Sequence, residues 1–273
     1  MLMLYCAALL PEKSPPPGAL AYPRLARAIF WLSILLTAGT CHASSTESSG
    51  DAPAFAVLLF TKTVGFRHDS IPAGVQAIKS LGTTHHFHVE ASEDATVFTD
   101  DHLAQYQVVI FFNTTGDILD PNQQQAFERF IRNGGGFVGI HSATDTEYDW
   151  PWYGQLVGTY FANHSAIQMA TITVVDAMHP STNQLPATWI RNDEWYNFRE
   201  DPSPNVNVLI KIDETTYAGG GMGENHPISW YHQYDGGRAW YTAMGHTVES
   251  YSEPLFLTHL LGGIMWAAGV TSK

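Results

Sequence analysis

Histidines and one carboxylate are the side chains in this sequence best placed to do chemistry. His141 closes the run Gly134-Gly135-Gly136-Phe137-Val138-Gly139-Ile140 and is followed at once by Ser142, Thr144 and Asp145. His68 sits in the polar stretch from Thr61 to Ser70, and His246 follows Gly245 at the end of the run from Arg238 to Met244. Glu194 stands in Asn192-Asp193-Glu194-Trp195-Tyr196, and His164 in Asn163-His164-Ser165, with His226 in reserve. Neutral imidazoles and a carboxylate are suitable ligands for zinc and similar divalent ions. A metal site would draw on His68, His141, His164 and His246. Without a metal, His141, His246 and Glu194 form an acid/base set, because imidazole titrates near working pH. No compact signature, such as two His four apart beside a Glu, singles out the metal. The plainer alternatives are ion pairing of Glu194 with Arg191 or Arg199, and turn-capping by His164 and His226.

Aromatics supply a second pattern. Trp150, Trp195 and Tyr196 fall in polar surroundings, a distribution that lines sugar sites as well as cores. Substrate contacts are therefore expected from these three together with His68 and Asp145. A thiolate nucleophile is excluded from the segment after residue 43, since the two cysteines, Cys6 and Cys41, both precede it.

The elements that must position these groups alternate between strand and helix. Phe55 to Phe60, Phe87 to Glu90, Gln107 to Phe112 and Phe137 to Ile140 read as buried strands. Between them lie helices starting near Ser70, Thr99 and Asp120. The last has the strongest start signal, with Asp120 as cap, Pro121 next and Gln123 completing a capping box. Strand-helix alternation implies right-handed crossovers and a parallel sheet, whose carboxyl edge is where ligands bind. His68, His141 and His246 all fall at that edge. Beyond Asp145 the pattern changes. A helix is expected over Tyr153 to Phe161, strands over Ile167 to Val175 and Val206 to Ile212, and a hairpin over Pro227 to Met244 turning at Tyr234-Asp235-Gly236-Gly237. A helix from Ser252 to Ala268 closes the chain.

The first 43 residues read as a secretory leader: Arg24 and Arg27, an apolar run from Ala28 to Ala38 too short to span a bilayer, and small residues ending Cys41-His42-Ala43. Cleavage after Ala43 implies a secreted or periplasmic protein, with a Ser-rich linker over 44–53 and a domain over 54–270. Ala38-Gly39-Thr40-Cys41 offers a lipoprotein box as the alternative, with Thr a poor fit before the Cys. Three of the 13 Lys and Arg residues and one of the 26 acidic residues precede residue 44, leaving 10 against 25 and a net charge of −15. Such a surface repels phosphate backbones, which argues against a nucleic-acid partner.

Gly65-Phe66-Arg67-His68, Gly139-Ile140-His141, Glu194-Trp195-Tyr196, His226-Pro227-Ile228-Ser229-Trp230 and Gly237 through His246 together resemble the trehalose-utilisation (ThuA-like) family, over roughly residues 55 to 268. The resemblance implies a class I glutamine-amidotransferase-like, flavodoxin-like α/β fold in three layers. Its central sheet would be mostly parallel with an antiparallel extension. In amidotransferases a Gly-x-Cys elbow follows the central strand. Here His141 takes the nucleophile position, and Thr247-Val248 replace the Pro-Glu expected after His246, so the fold is expected without that chemistry. The resemblance further implies a small-molecule carbohydrate, a disaccharide or an oxidised derivative, as ligand. A non-catalytic carbohydrate-binding module is the competing class.

Overall fold

The computed structural model describes residues 54–270. The leader and linker expected over 1–53 lie outside the described residues. In chain order the elements are β1 (Ala56–Phe60), α1 (Ile71–His85), β2 (His88–Ser92), α2 (Asp100–Leu103), β3 (Val108–Phe112), α3 (Pro121–Arg132), β4 (Gly136–Ile140) and α4 (Pro151–Val157). There follow β5 (Phe161–His164), β6 (Gln168–Val174), β7 (Thr188–Asp193), β8 (Tyr196–Phe198), β9 (Asn207–Ile212), β10 (Pro227–Tyr234), β11 (Gly237–Thr242) and α5 (Pro254–Ala267).

Nine strands form one sheet in the order β2-β1-β3-β4-β11-β10-β9-β6-β7. From β2 to β11 every pairing is parallel, and from β11 to β7 every pairing is antiparallel. The mostly parallel sheet with an antiparallel extension is therefore the observed architecture. In β3 and β4, inside its parallel part, every residue is buried, as helix-covered parallel strands require. Side chains that pack on one another fill the core, from Phe111, Phe127 and Phe137 across to Tyr153. No helix among the described residues is long and apolar enough to cross a membrane.

Local rules explain most of the boundaries. Asp120 accepts from the amides of Asn122 and Gln123 while Gln123 accepts from the Asp120 amide, so α3 opens on a complete capping box with Pro121 behind it. The β10–β11 turn places Asp235 at φ 48° and Gly236 at φ 94°. That is the mirror-image turn a two-residue hairpin needs, and Asp-Gly tolerates it.

Three elements differ from the sequence pattern. The helix expected over Tyr153 to Phe161 ends at Val157, because Gly158 turns to φ 103° against the Trp230 indole. Phe161–His164 then forms β5, paired with β8. The segment leading to Glu194, to which the sequence pattern assigns no strand, contains the edge strand β7, Thr188–Asp193, whose side chains alternate between exposed and buried. Ser70 makes no cap hydrogen bond at the start of α1 and instead turns toward the sheet edge.

Candidate functional site

Parallel strands deliver His68, His141 and His246 to one edge. His141 follows β4 directly, His246 follows β11, and His68 lies between β1 and α1. Glu194 arrives by a different route. In pairing order β7 lies four strands from β11, roughly 19 Å away if the sheet were flat. Yet Asp193, the last residue of β7, accepts a hydrogen bond from the Gly245 amide at 2.8 Å. The antiparallel extension therefore curls back over the carboxyl edge and carries Glu194 onto the histidines.

The Asp193 carboxylate fixes this junction. Besides Gly245 it accepts from the amides of His246 (3.1 Å) and Glu194 (3.0 Å), and Arg191 Nη2 lies 3.2 Å away. Across the site, His141 adopts φ 51°, a left-handed conformation that costs on the order of 1 kcal/mol or more for a residue with a Cβ. Neighbours hold it there. Tyr241 Oη donates to the His141 carbonyl at 2.8 Å, and His141 Nδ1 donates to the Ala243 carbonyl at 2.7 Å. Gly245 turns at φ +113°, with Tyr251 Oη and Ser70 Oγ both donating to its carbonyl.

The result is four groups, His68, His141, Glu194 and His246, whose ligand-type atoms lie within 4.8 Å of one another. His141 Nε2 is 3.1 Å from His246 Nδ1 and 3.6 Å from Glu194 Oε2, and His246 Nδ1 is 3.1 Å from that same oxygen. Because a carbonyl only accepts, His141 carries its proton on Nδ1, and its Nε2 presents a bare lone pair when the ring is neutral. Few protons are thus available to reconcile three crowded acceptor-type atoms. Tetrahedral coordination with bonds of about 2.0–2.1 Å separates neighbouring ligand atoms by roughly 3.4 Å, close to the spacing found. His68 gives the second indication. Its Nδ1 is sealed from solvent with no hydrogen-bond partner among the described residues, a state in which buried polar atoms are seldom left. The residues present fit a divalent cation.

Electrostatics agrees with that fit at His68 and Glu194. Burial, followed by the neighbouring His141 and His246, pushes the His68 imidazole down to about 2, keeping it in the neutral form a metal needs. Burial alone would raise the Glu194 carboxyl. The facing imidazoles of His141 and His246 more than reverse this and hold it well below the usual carboxylate range. His246 is also opposed by burial but ends above its ordinary value because Glu194 faces it. The opening is on the His246 side: that side chain is 19% exposed, Glu194 is 9% exposed, and His141 is fully enclosed.

With the geometry in place, comparison with known proteins becomes informative. The sequence profile of the family described as "Trehalose utilisation" matches residues 56–267. The chain belongs to the ThuA family. Solved structures that share its fold include two ThuA-like proteins. A ThuA-like protein from Bacteroides uniformis is 24% identical, covering 80% of this chain and 92% of that one at a TM-score of 0.68. A second, from Parabacteroides merdae, is 22% identical, covering 81% and 92% at the same TM-score of 0.68. No curated protein matches the sequence.

On this ThuA fold the site residues expected from the sequence separate into groups. His68, His141 and His246 converge, and Glu194 joins them as a fourth ligand-type group. His164 stands outside this set: it is 49% exposed, on the far side of Glu194, with Nδ1 2.9 Å from Oε1. Glu194 pairs with neither arginine proposed for it; Arg191 meets Asp193 and Glu253 instead. Asp145 borders the group, accepting from Tyr148 Oη at 2.6 Å. Tyr196 lies against His141, ring centroids 4.2 Å apart, and its hydroxyl has no partner among the described residues. Two of the expected platforms are packing residues. Trp195 is fully buried with Nε1 donating to the Gln168 carbonyl, and Trp150 stacks on Trp152 and Tyr153 with Nε1 donating to Glu128. His226 is buried and bonds the Tyr196 carbonyl and Glu214, supporting the site from below. Sequence reasoning missed Asp193 and Tyr241. No local signal marked Asp193, whose neighbours Arg191, Asn192 and Glu194 are all polar.

Proposed function

We propose that this ThuA protein is a carbohydrate-modifying enzyme of the hydrolase or lyase type, acting on a disaccharide such as trehalose or its keto form. The observation that carries the proposal is the convergence of His68, His141, Glu194 and His246, enclosed on one side and open on the other. These four would hold one divalent ion, zinc by the character of the donors. Such an ion supplies Lewis acidity toward a sugar hydroxyl or carbonyl. The chain's own residues do the rest. The Ala243 carbonyl keeps His141 Nε2 aimed inward. His164, on the solvent side of Glu194, is placed to move a proton to or from a bound sugar, a different role from the ligand role its type suggests. Tyr196 is buried, and its Oη, without a partner among the described residues, would meet only a sugar hydroxyl that reaches into the group.

The test joins elemental analysis of the purified 54–270 domain to a screen of disaccharides and their keto forms. About one transition metal per chain, with turnover lost in His141→Ala and His246→Ala, is the expected outcome. Sugar binding that persists unchanged in both variants, without turnover in any form of the protein, would replace this reading by that of a binding module.

A further inference from the structure

The aromatics that the sequence offers as sugar platforms are packed away, yet one aromatic is not. Among the described residues Phe66 is the only Phe, Tyr or Trp side chain left exposed, at 64%. It lies beside the His/Glu group, its ring 4.9 Å from that of His68 and nearly perpendicular to it at 87°. His68 in turn stands edge-on to both His141 and His246.

Loose chain does not account for this exposure. The Thr115 carbonyl accepts from the amides of Val64 (2.8 Å) and Gly65 (3.4 Å), while Thr115 Oγ1 donates to the Phe66 carbonyl at 2.9 Å. A β-bridge joins Thr63 to Thr115, and the next residue, Arg67, is anchored to Glu93 at 2.7 Å. Hydrogen bonds from Thr115 thus hold the backbone at Val64, Gly65 and Phe66, beneath a large apolar ring that points outward. A pinned loop could equally present a polar residue. Keeping a Phe there forgoes the burial that apolar side chains ordinarily gain, unless something covers it when the site is in use.

We infer that Phe66 is the stacking platform of this centre and that its ligand presents a flat C–H face to it, as a pyranose ring does. Hydroxyls on the ring's edges would then reach the polar group behind, where Tyr196 Oη and His164 Nε2 are left without partners among the described residues while His164 Nδ1 is held by Ser165 and Glu194. An apolar face with polar edges is the pairing aromatic rings recognise in amphipathic ligands. The inference rests on the carbohydrate reading above and adds the residue that selects for ring shape.

The experiment measures binding of trehalose and a panel of disaccharides and their keto forms by calorimetry and saturation-transfer NMR. It compares the wild type with Phe66→Ala, Phe66→Trp and Glu194→Gln. For the best sugar, Phe66→Ala binds roughly tenfold more weakly, Phe66→Trp retains binding, and saturation passes from aromatic protons to ring C–H protons. Turnover, if present, shows the loss in KM rather than kcat. Phe66→Ala binding as tightly as wild type overturns the inference, whatever Glu194→Gln does. A self-association abolished by Phe66→Ala with sugar binding intact overturns it in favour of a second copy as the cover. Absence of sugar binding in the wild type overturns both this and the carbohydrate reading, whereas binding without turnover overturns only the enzymatic part.

Discussion

Among the described residues, two groups of buried histidines have opposite characters. The core group lies between the antiparallel strands and α5. His259 Nδ1 donates to the Ser181 carbonyl at 2.9 Å and its Nε2 lies 3.1 Å from Ser229 Oγ. His179 Nδ1 sits 2.8 Å from Ser181 Oγ, which also receives Trp240 Nε1. Neutral hydroxyls and carbonyls surround both rings, and no nitrogen in this group faces another histidine nitrogen. The edge group differs: nitrogens of His141 and His246 face each other and a shared carboxylate oxygen, whereas each group holds one buried nitrogen without a partner among the described residues, His68 Nδ1 and His179 Nε2. Burial is common to both. What separates a candidate site from a structural network is convergence of acceptor atoms with too few protons between them.

Exchanging one residue in each group breaks the comparison most sharply. Glu194→Gln keeps volume but removes the anionic ligand, so bound metal should fall well below one per chain and turnover by on the order of a thousandfold. Its thermal midpoint in excess chelator should stay within a few degrees of chelated wild type. His259→Ala should do the opposite. Deleting a fully enclosed, hydrogen-bonded ring costs about 2–4 kcal/mol, a fall of roughly 5–15 °C in Tm for a domain of this size, with metal content unchanged. Calorimetry and elemental analysis on the same preparations would check both. Loss of metal in His259→Ala, or its retention in Glu194→Gln, would erase the distinction.

Acid should find the core group next. Burial holds His259 down to about 3 and His179 down to about 4. Folded values below the ordinary imidazole value of 6.5 mean that the unfolded chain binds protons first. Stability is therefore complete above that value and declines as pH falls from it toward about 4. Midpoints of urea unfolding measured from pH 7.5 to 4.5 in chelator should drop progressively, and His259→Gln should flatten the slope. Midpoints that do not move over this range would mean that these rings are not held neutral.

The sequence made half of this contrast visible. Strand-end positions for His141 and His246 followed from apolar runs and glycine stops, because parallel strands bring their carboxyl ends to one edge whatever lies between. The capping box at Asp120 and the Asp235-Gly236 turn were equally plain, being fixed by neighbours within a few residues. Glu194 and His164 could not be sorted in this way. Their places depend on how far the antiparallel extension curls, which is set by packing across β6, β7, β9 and β10 rather than by any local pattern. Trp150 and Trp195 misled as platforms for a related reason: a polar sequence neighbourhood says nothing about what covers a ring in space. Asp193 was invisible because its three amide partners come from residues both adjacent and more than 50 positions away.

Asp193 also supplies the subtlest probe of the edge group. It touches no ligand-type atom of its neighbours, yet its two oxygens fix the backbone at Gly245, His246 and Glu194 together. Asp193→Asn retains one acceptor but turns an NH2 toward amides that need an acceptor, and it removes the charge facing Arg191. His246 and Glu194 should then be held less firmly relative to each other. Loss of a supporting contact of this kind costs roughly ten- to a hundredfold in metal affinity. Turnover at saturating metal should change far less, because the ligands themselves remain. Competition with chelators of graded strength separates the two effects. An affinity within twofold of wild type, beside a lowered Tm, would assign Asp193 to folding alone and leave the curl of the sheet, rather than this carboxylate, as what holds the two sides of the site in register.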